Sequence, residues 1–439
     1  MSSVDLHDAA GLAAADRAML LPSVALAGAQ VRATAEQVSG FADFGRPRAL
    51  VVVGANAAVD TALLTALVGD APAPVVAGTA LPLWVGPLDI VVVLASLVDD
   101  IAAAEAAALA VRRGARVIVR AAGHGPVAEA AAGADLLEPP VPVTEALAGP
   151  ARLVVLAGVA AAAGFGRRPD FLAAADQLDA LAVACHPSSE FFVNPALTLA
   201  EHLSAGTPLI VGTDPVADAL AGYTCRALAT LSGTAAAALL SYQAAGSPPV
   251  LASAARTDGP AGTFYDPYLD GDGDEEPGQT VSSVLVVGPT AQGGPAGTVP
   301  SGAGLLPLES LPAFGAEPVD PVRPAAPRSP LAAALQTALP RSLTIGPEEL
   351  PTRDDGPTDP DAPVPVRDAF SWTLAMMARV DFAAVYLGLR SGARAPLDSP
   401  DGLGRPGGAA LHLPGRGRDP GRGAAGRGPW NERESGSWS

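Results

Sequence analysis

Three short stretches of this sequence carry residues whose types and spacing can do chemistry. The most distinctive runs from Cys185 to Gly212, CHPSSEFFVNPALTLAEHLSAGTPLIVG, where Ser188, Ser189, Glu190 and Asn194 gather polar groups in a turn before a helix. Glu190 can act there as a general acid or base. A carboxylate near a helix N-terminus is equally explained by the helix dipole. The second stretch is VVVGANAAVDTALL, in which Gly54 lets the chain turn from a strand into a helix whose first N–H groups can hold an anion, with Asn56 beside them. It also reads as a plain strand-to-helix turn. The third is Ser96, directly after DIVVVLA. At the carboxyl end of a parallel strand a serine can donate to a ligand, or it can cap the next helix.

Other candidates lead nowhere. Asp270, Asp272 and Asp274 alternate as in a calcium loop, but Glu275 and Val281 stand where that loop needs glycine and glutamate. Cys185 and Cys225 offer no metal-ligand spacing and read as small buried apolar residues in a reducing compartment. His202 has no evident partner. No metal and no other cofactor is expected.

The elements that must position these residues alternate between strand and helix. After helical spacing over 9–39, strands are expected at Ala49–Val53, Val75–Ala77, Asp89–Ala95 and Arg116–Arg120, with an edge strand at Ala134–Leu137. Helices fall between them at Ala57–Val68, Ile101–Arg113 and Val127–Ala132. Unbroken apolar strands suit a parallel sheet covered on both faces, and the repeated strand–helix–strand order makes it doubly wound. A second unit is helical from Leu153 to about Ser204. It continues with a strand at Pro208–Val211, a helix over Pro215–Leu231, a strand at Val281–Gly288 and an amphipathic helix at Arg367–Leu389. Residues 395–439, rich in Gly, Arg and Pro, are expected to be a disordered tail.

The chain has 439 residues, 49% of them hydrophobic and only 4% aromatic, so its cores rest on Ala, Val and Leu. All 27 basic residues are arginine, and the net charge is −18. Nucleic-acid binding needs several phosphates neutralised, so no nucleic-acid partner is expected. The six arginines after residue 400 face four acidic residues, too small an excess to change that. No apolar run reaches the roughly 20 residues of a membrane span, and the N-terminus lacks a basic leader. A cytoplasmic protein with no membrane partner is the expectation.

The order of these motifs resembles tandem sugar-isomerase (SIS) domain proteins of the TobH-like kind, relatives of the bifunctional phosphoglucose/phosphomannose isomerases. VVVGANAAVDTALL resembles their first strand and phosphate-side turn, LPLWVGPLDIVVVLAS their second motif, and RRGARVIV the next helix–strand joint. FVNPALTLAEHLSAGTPLIVG, TFYDPYLDG and VDFAAVYLGL continue the likeness, which covers most of residues 9–395. It implies two flavodoxin-like three-layer α/β/α domains with parallel sheets, over 1–150 and 151–394. It further implies a sugar phosphate as ligand, held by Gly54, Asn56, Ser96, Ser188, Ser189 and Asn194, and a homodimer.

The departures bear on catalysis. Active relatives hold phosphate with a Ser-x-Ser-Gly-Asn/Asp-Thr loop, where this chain has Ala95-Ser96-Leu97-Val98-Asp99-Asp100. Their proton-transferring glutamate falls in Leu231-Ser232-Gly233-Thr234-Ala235-Ala236, which has no acid, and their ring-opening histidine falls near Tyr265-Asp266-Pro267. A phosphosugar-binding protein with weak or lost isomerase activity is therefore expected. The alternatives are an active isomerase with Glu190 as relocated acid/base, and a structural or interaction protein without ligand.

Overall fold

The structure is a computed structural model that describes residues 4–255, 282–288, parts of 331–346 and 369–393. The acidic loop over 256–280, most of the segment 289–365 and the tail beyond 395 lie outside the described residues. Three helices lead the chain, α1 (Ala9–Ala15), α2 (Leu20–Ala25) and α3 (Ala27–Ser39). The expected alternation follows as β1 (Leu50–Val53), α4 (Ala57–Val68), β2 (Val75–Gly78), β3 (Ile90–Leu94), α5 (Ile101–Arg112), β4 (Arg116–Arg120), α6 (Pro126–Ala130) and β5 (Asp135–Leu137). Every pairing in this sheet is parallel and its order is β2-β1-β3-β4-β5. That is the flavodoxin-like winding, whose ligand crevice opens where the order reverses, outside the carboxyl ends of β1 and β3.

Alternation along the strands explains the layering. Leu50, Val52, Ile90 and Val92 face one core, while Val51, Val53, Val91 and Val93 face another filled by alanines of α5. Side chains two residues apart share a face, so each strand must be apolar throughout to serve both layers.

The second half builds a smaller sheet. Helices α7 (Gly149–Ala162), α8 (Phe171–Ala184) and α9 (Pro195–Ser204) precede β6 (Thr207–Gly212), α10 (Pro215–Ala227), β7 (Ala237–Leu239), α11 (Ser241–Gly246), α12 (Pro248–Ala255), β8 (Ser282–Val287) and β9 (Leu343–Ile345). The parallel order is β7-β6-β8-β9. Ile210 and Leu285 of this sheet join the same core as Leu50 and Ile90, and Val211 and Val286 face a separate outer one. The two sheets therefore share a helical layer between them.

The last described helix, α13 (Ala369–Ser391), departs from the sequence expectation. Instead of showing one polar face to solvent, it is buried on every side from Phe370 to Gly388. It packs on α1, α2, α7, α8, α9 and α10. Several of its polar residues are partnered inside the fold: Thr373 donates to Ala369 O at 2.7 Å, Arg379 to Pro195 O at 3.1 Å, and Asp381 accepts from Tyr223, whereas the indole N–H of Trp372 is buried without a partner among the described residues. By length and composition this helix could cross a membrane, but 94% of its most apolar window is buried within the protein.

Candidate functional site

The switch point between β1 and β3 brings together Gly54, Asn56 and Ser96, three of the residues singled out in the sequence. Gly54 is required by packing, since a Cβ there would run into the carbonyl oxygen of Leu94 at the end of β3. This close approach sets the exits of the two strands side by side. Ser96 is half-buried just beyond Leu94.

What fills the turn after β3 is a carboxylate of the chain itself. Asp100 is the N-cap of α5; it accepts the N–H of Ala103 at 3.0 Å and that of Ser96 at 3.3 Å. Two backbone donors of this turn, those of Ser96 and Ala103, are thus engaged by the chain itself. Leu97, Val98 and Asp99 of the same loop are exposed. The second sheet is arranged likewise. Asp214 caps α10 through the N–H groups of Val216 and Ala217, both at 2.9 Å, and Asp218 accepts from the N–H and hydroxyl of Ser241, both at 2.7 Å.

The start of α4 differs from these two. Its N-cap, Asn56, makes no capping bond, although the residue is only 4% exposed, and its Oδ1 is buried without a partner. Among the described residues the N–H groups of Ala58 and Val59 also find no acceptor. Of the three long helices that directly follow strands, α4 alone has no side-chain cap.

Beside it lies a buried ionic chain that the sequence did not reveal. Arg152 on α7 donates to Asp60 in the first turn of α4 at 2.7 Å and to Glu145 at 2.8 Å, and Glu145 also receives Arg120, at the end of β4, at 3.0 Å. Burial would loosen the proton on Arg152, but Asp60 and Glu145 outweigh it and raise its pKa. Arg226, in the last turn of α10, is half-buried and makes no hydrogen bond or ion pair among the described residues. Burial, and next the neighbouring Arg152, lower its pKa, while Asp60 and Glu145 are close enough to oppose this. Asp60 and Arg152 are 92 residues apart in sequence, so only the folded chain brings them together.

Behind this chain, Tyr223 donates to both oxygens of Asp381, at 2.9 and 2.8 Å. Burial pushes the Asp381 carboxyl up to about 8, with Tyr223, Arg152 and Arg226 pulling the other way. Burial and the adjacent Asp381 likewise raise the Tyr223 hydroxyl.

The turn over 186–194 gathers the other expected residues, but its polar groups are engaged locally. Ser188 Oγ lies 2.7 Å from His186 Nδ1, and Ser189 Oγ donates to Val183 O at 3.2 Å. Asn194 is buried as the N-cap of α9; its Oδ1 accepts from Ala196 and Leu197, each at 3.0 Å, and its Nδ2 donates to His186 O at 3.0 Å. Glu190 precedes a short 3₁₀ turn with its side chain exposed and, among the described residues, without a hydrogen bond or ion pair. No hydrogen bond or ion pair among the described residues joins this turn to Gly54, Asn56 or Ser96. Cys185, behind the turn, is buried, and burial pushes its thiol up to about 12, so it is an inert apolar filler. His202 Nε2 donates to Val284 O, 2.8 Å away, tying α9 to β8. Among the described residues no group of His, Cys, Asp and Glu could hold a metal ion.

The architecture has solved counterparts. A hypothetical protein of Thermus thermophilus superposes with a TM-score of 0.55 at 14% identity, over 88% of this chain and 89% of that one. A proposed tagatose-6-phosphate ketose/aldose isomerase of Clostridium novyi NT gives a TM-score of 0.50 at 11% identity, over 90% and 94%. The fold is of the sugar-isomerase type. No protein-family model matches the chain, and no curated protein matches it in sequence. At these identities the likeness speaks for the fold alone, and what the site does has to be argued from its residues.

Proposed function

We propose that this protein binds a sugar phosphate at the switch point of its larger sheet and has weak or no isomerase turnover. The observation that carries the reading is the contrast between two helix starts: the Asp100 carboxylate caps α5, while α4 has no side-chain cap and begins at Asn56 without a carboxylate there. A helix start without a capping side chain, in the crevice of this fold, offers a place for one anion. The kinship to bifunctional phosphoglucose/phosphomannose isomerases and to TobH-like proteins, and the assembly as a homodimer, belong to the same proposal. In it, Gly54, Asn56 and Ser96 frame the phosphate, and Ser188, Ser189 and Asn194 shape the more distant turn.

The reading of lost catalysis rests on the missing acid in 231–236, where the chain forms a π-helical turn over Leu228–Ser232 instead. Calorimetric titration with glucose 6-phosphate and mannose 6-phosphate, alongside an aldose–ketose assay, tests both halves. Binding without turnover supports the reading. Absence of binding by any hexose phosphate at millimolar concentration would favour a structural or interaction role. Turnover abolished by Glu190→Gln would favour the exposed Glu190 as a working acid/base.

A further inference from the structure

We propose that two copies of this chain pair through the free edge of β2 and the apolar strap over 79–89 that follows it, antiparallel about a two-fold axis. The inference rests on the homodimer reading above and names the surface that forms it.

β2 closes one side of the larger sheet and pairs only with β1. Pro74 O and Gly78 O accept from Leu50 and Gly54 of β1, at 2.9 and 3.1 Å. Residues two apart point their backbone groups the same way, so those of Val75 and Ala77 point outward. Among the described residues they have no partner. Edge strands are usually guarded by charge, as β5 is at the other side of this sheet, where Asp135 meets Arg116 at 3.0 Å. Nothing of the kind guards β2: from Ala71 to Leu88 the chain carries no charged side chain.

The strap leaves the neighbouring face thin. Helices α5 and α6 cover the outer face of the sheet beyond β1, but no helix joins β2 to β3. Only Leu81 and Val85 of the strap enter the outer core there, and Val76, which faces the same side as Val51, stays half-buried. The strap is nevertheless held firmly. Arg113 donates to Pro82 O, Arg48 to Trp84 O and the N–H of Gly86 to Asp89, each at 2.8 Å, and the Arg48 guanidinium lies 5.4 Å over the Trp84 ring. This frame displays Leu83, Leu88 and Trp84 to solvent, 90%, 70% and 47% exposed. Closing the outer layer accounts for Leu81 and Val85 but not for these three, which are preorganised apolar anchors.

Charge and symmetry select the occupant. Two copies of a chain with net charge −18 repel each other, so the surface complementary to a second copy is an uncharged one. The one ion pair beside the strap, Arg48 with Asp89, is neutral as a unit. Identical edges meet antiparallel across a two-fold axis, so each copy donates and accepts the same main-chain bonds. A four-residue edge is too short to hold a dimer by itself, and the strap supplies the apolar part.

The test is sedimentation equilibrium of the full chain and of two variants. Leu83→Glu adds a charge where the native side chain is almost free of contacts, and Ala77→Pro removes an outward N–H while leaving the pairing with β1 intact. Each is expected to weaken the dimer by at least about tenfold, and added salt to tighten the native dimer by screening the net charge. A native dimer that both variants retain overturns this surface and leaves the homodimer reading standing. A dimer that salt dissociates is held by ion pairs, which also overturns it. A monomeric native chain at every concentration removes the homodimer reading together with this proposal, and leaves the edge to a strand of a different protein. If Ala77→Pro fails to fold, Leu83→Glu decides alone.

Discussion

The carboxylate of Asp100 lies 3.3 Å from the backbone nitrogen of Ser96 and accepts its hydrogen bond. The loop after β3 thereby closes on a side chain of its own, at the place where a fold of this type would offer donors to a ligand. The same carboxylate caps α5, so its position serves stability whatever the crevice binds.

Charge and cap can be separated at this residue. Asn caps a helix about as well as Asp, whereas Ala does not. Asp100→Ala is expected to lose about 1 kcal/mol in denaturant titration, and Asp100→Asn much less. The double change Asp99→Asn with Asp100→Asn should tighten sugar-phosphate binding, because it removes like charge from the crevice. Unchanged or weaker affinity would place the phosphate elsewhere.

Asp381 makes stability depend on pH. Its carboxyl is raised from an ordinary 3.8 to about 8 in the folded protein, so between about pH 4 and 8 the folded state holds a proton that the unfolded state has released. The contribution is favourable below pH 4, falls as pH rises through that window and levels off above 8. Asp381→Asn keeps an acceptor for Tyr223 and removes the titration. The variant should gain on the order of 2–4 kcal/mol relative to native protein at pH 8 and little at pH 4. Parallel stability profiles for the two proteins would show that Asp381 is ionised in the fold.

Arg152 holds Asp60, whose side chain is fully buried. Arg152→Met leaves that carboxylate without a counter-charge and is expected to cost about 3–5 kcal/mol. Replacing both partners, Asp60→Leu with Arg152→Met, should recover most of the loss, since an apolar pair of similar size avoids the unpaired charge. Additive losses in equilibrium unfolding would argue that the two residues do not act as a pair.

Isomerase turnover with glucose 6-phosphate or mannose 6-phosphate is expected to be at least about 10³-fold below the roughly 10 s⁻¹ median of enzymes. The exposed Glu190 has no hydrogen bond or ion pair to the switch point among the described residues, and no acid stands in 231–236. A steady-state rate near the median would refute the expectation.

The central strands are legible in the sequence because each is apolar on both faces: Leu50–Val53 and Ile90–Leu94 have no other reading in a chain that alternates with helices. β7 and β9 are not, because three residues such as AAL or LTI carry no period and are strands only through pairing with β6 and β8. The switch-point residues Gly54, Asn56 and Ser96 can be picked out from their place after strands. Arg226, Arg152 and Asp60 cannot. Each reads locally as an ordinary charged residue on a helix, and it is the packing of α4, α7 and α10 that makes them neighbours. α13 misleads for a related reason, since Arg379 and Asp381 mark a solvent face in a surface helix but lie inside when partners wait for them.

The central place of α13 also orders the events of synthesis. Helices α7 to α10 leave the ribosome well over a hundred residues before Phe370 does, yet the surfaces they bury are shaped around that helix. At a synthesis rate of about 5–20 residues per second, the nascent chain carries an open apolar trough for several seconds. During that interval the larger sheet can close over its outer layer of α5 and α6, but the shared layer must wait. A chaperone that shields unfinished cores would therefore meet this protein while the trough is open, and a stalled ribosome would release a species prone to aggregate rather than a shortened working protein.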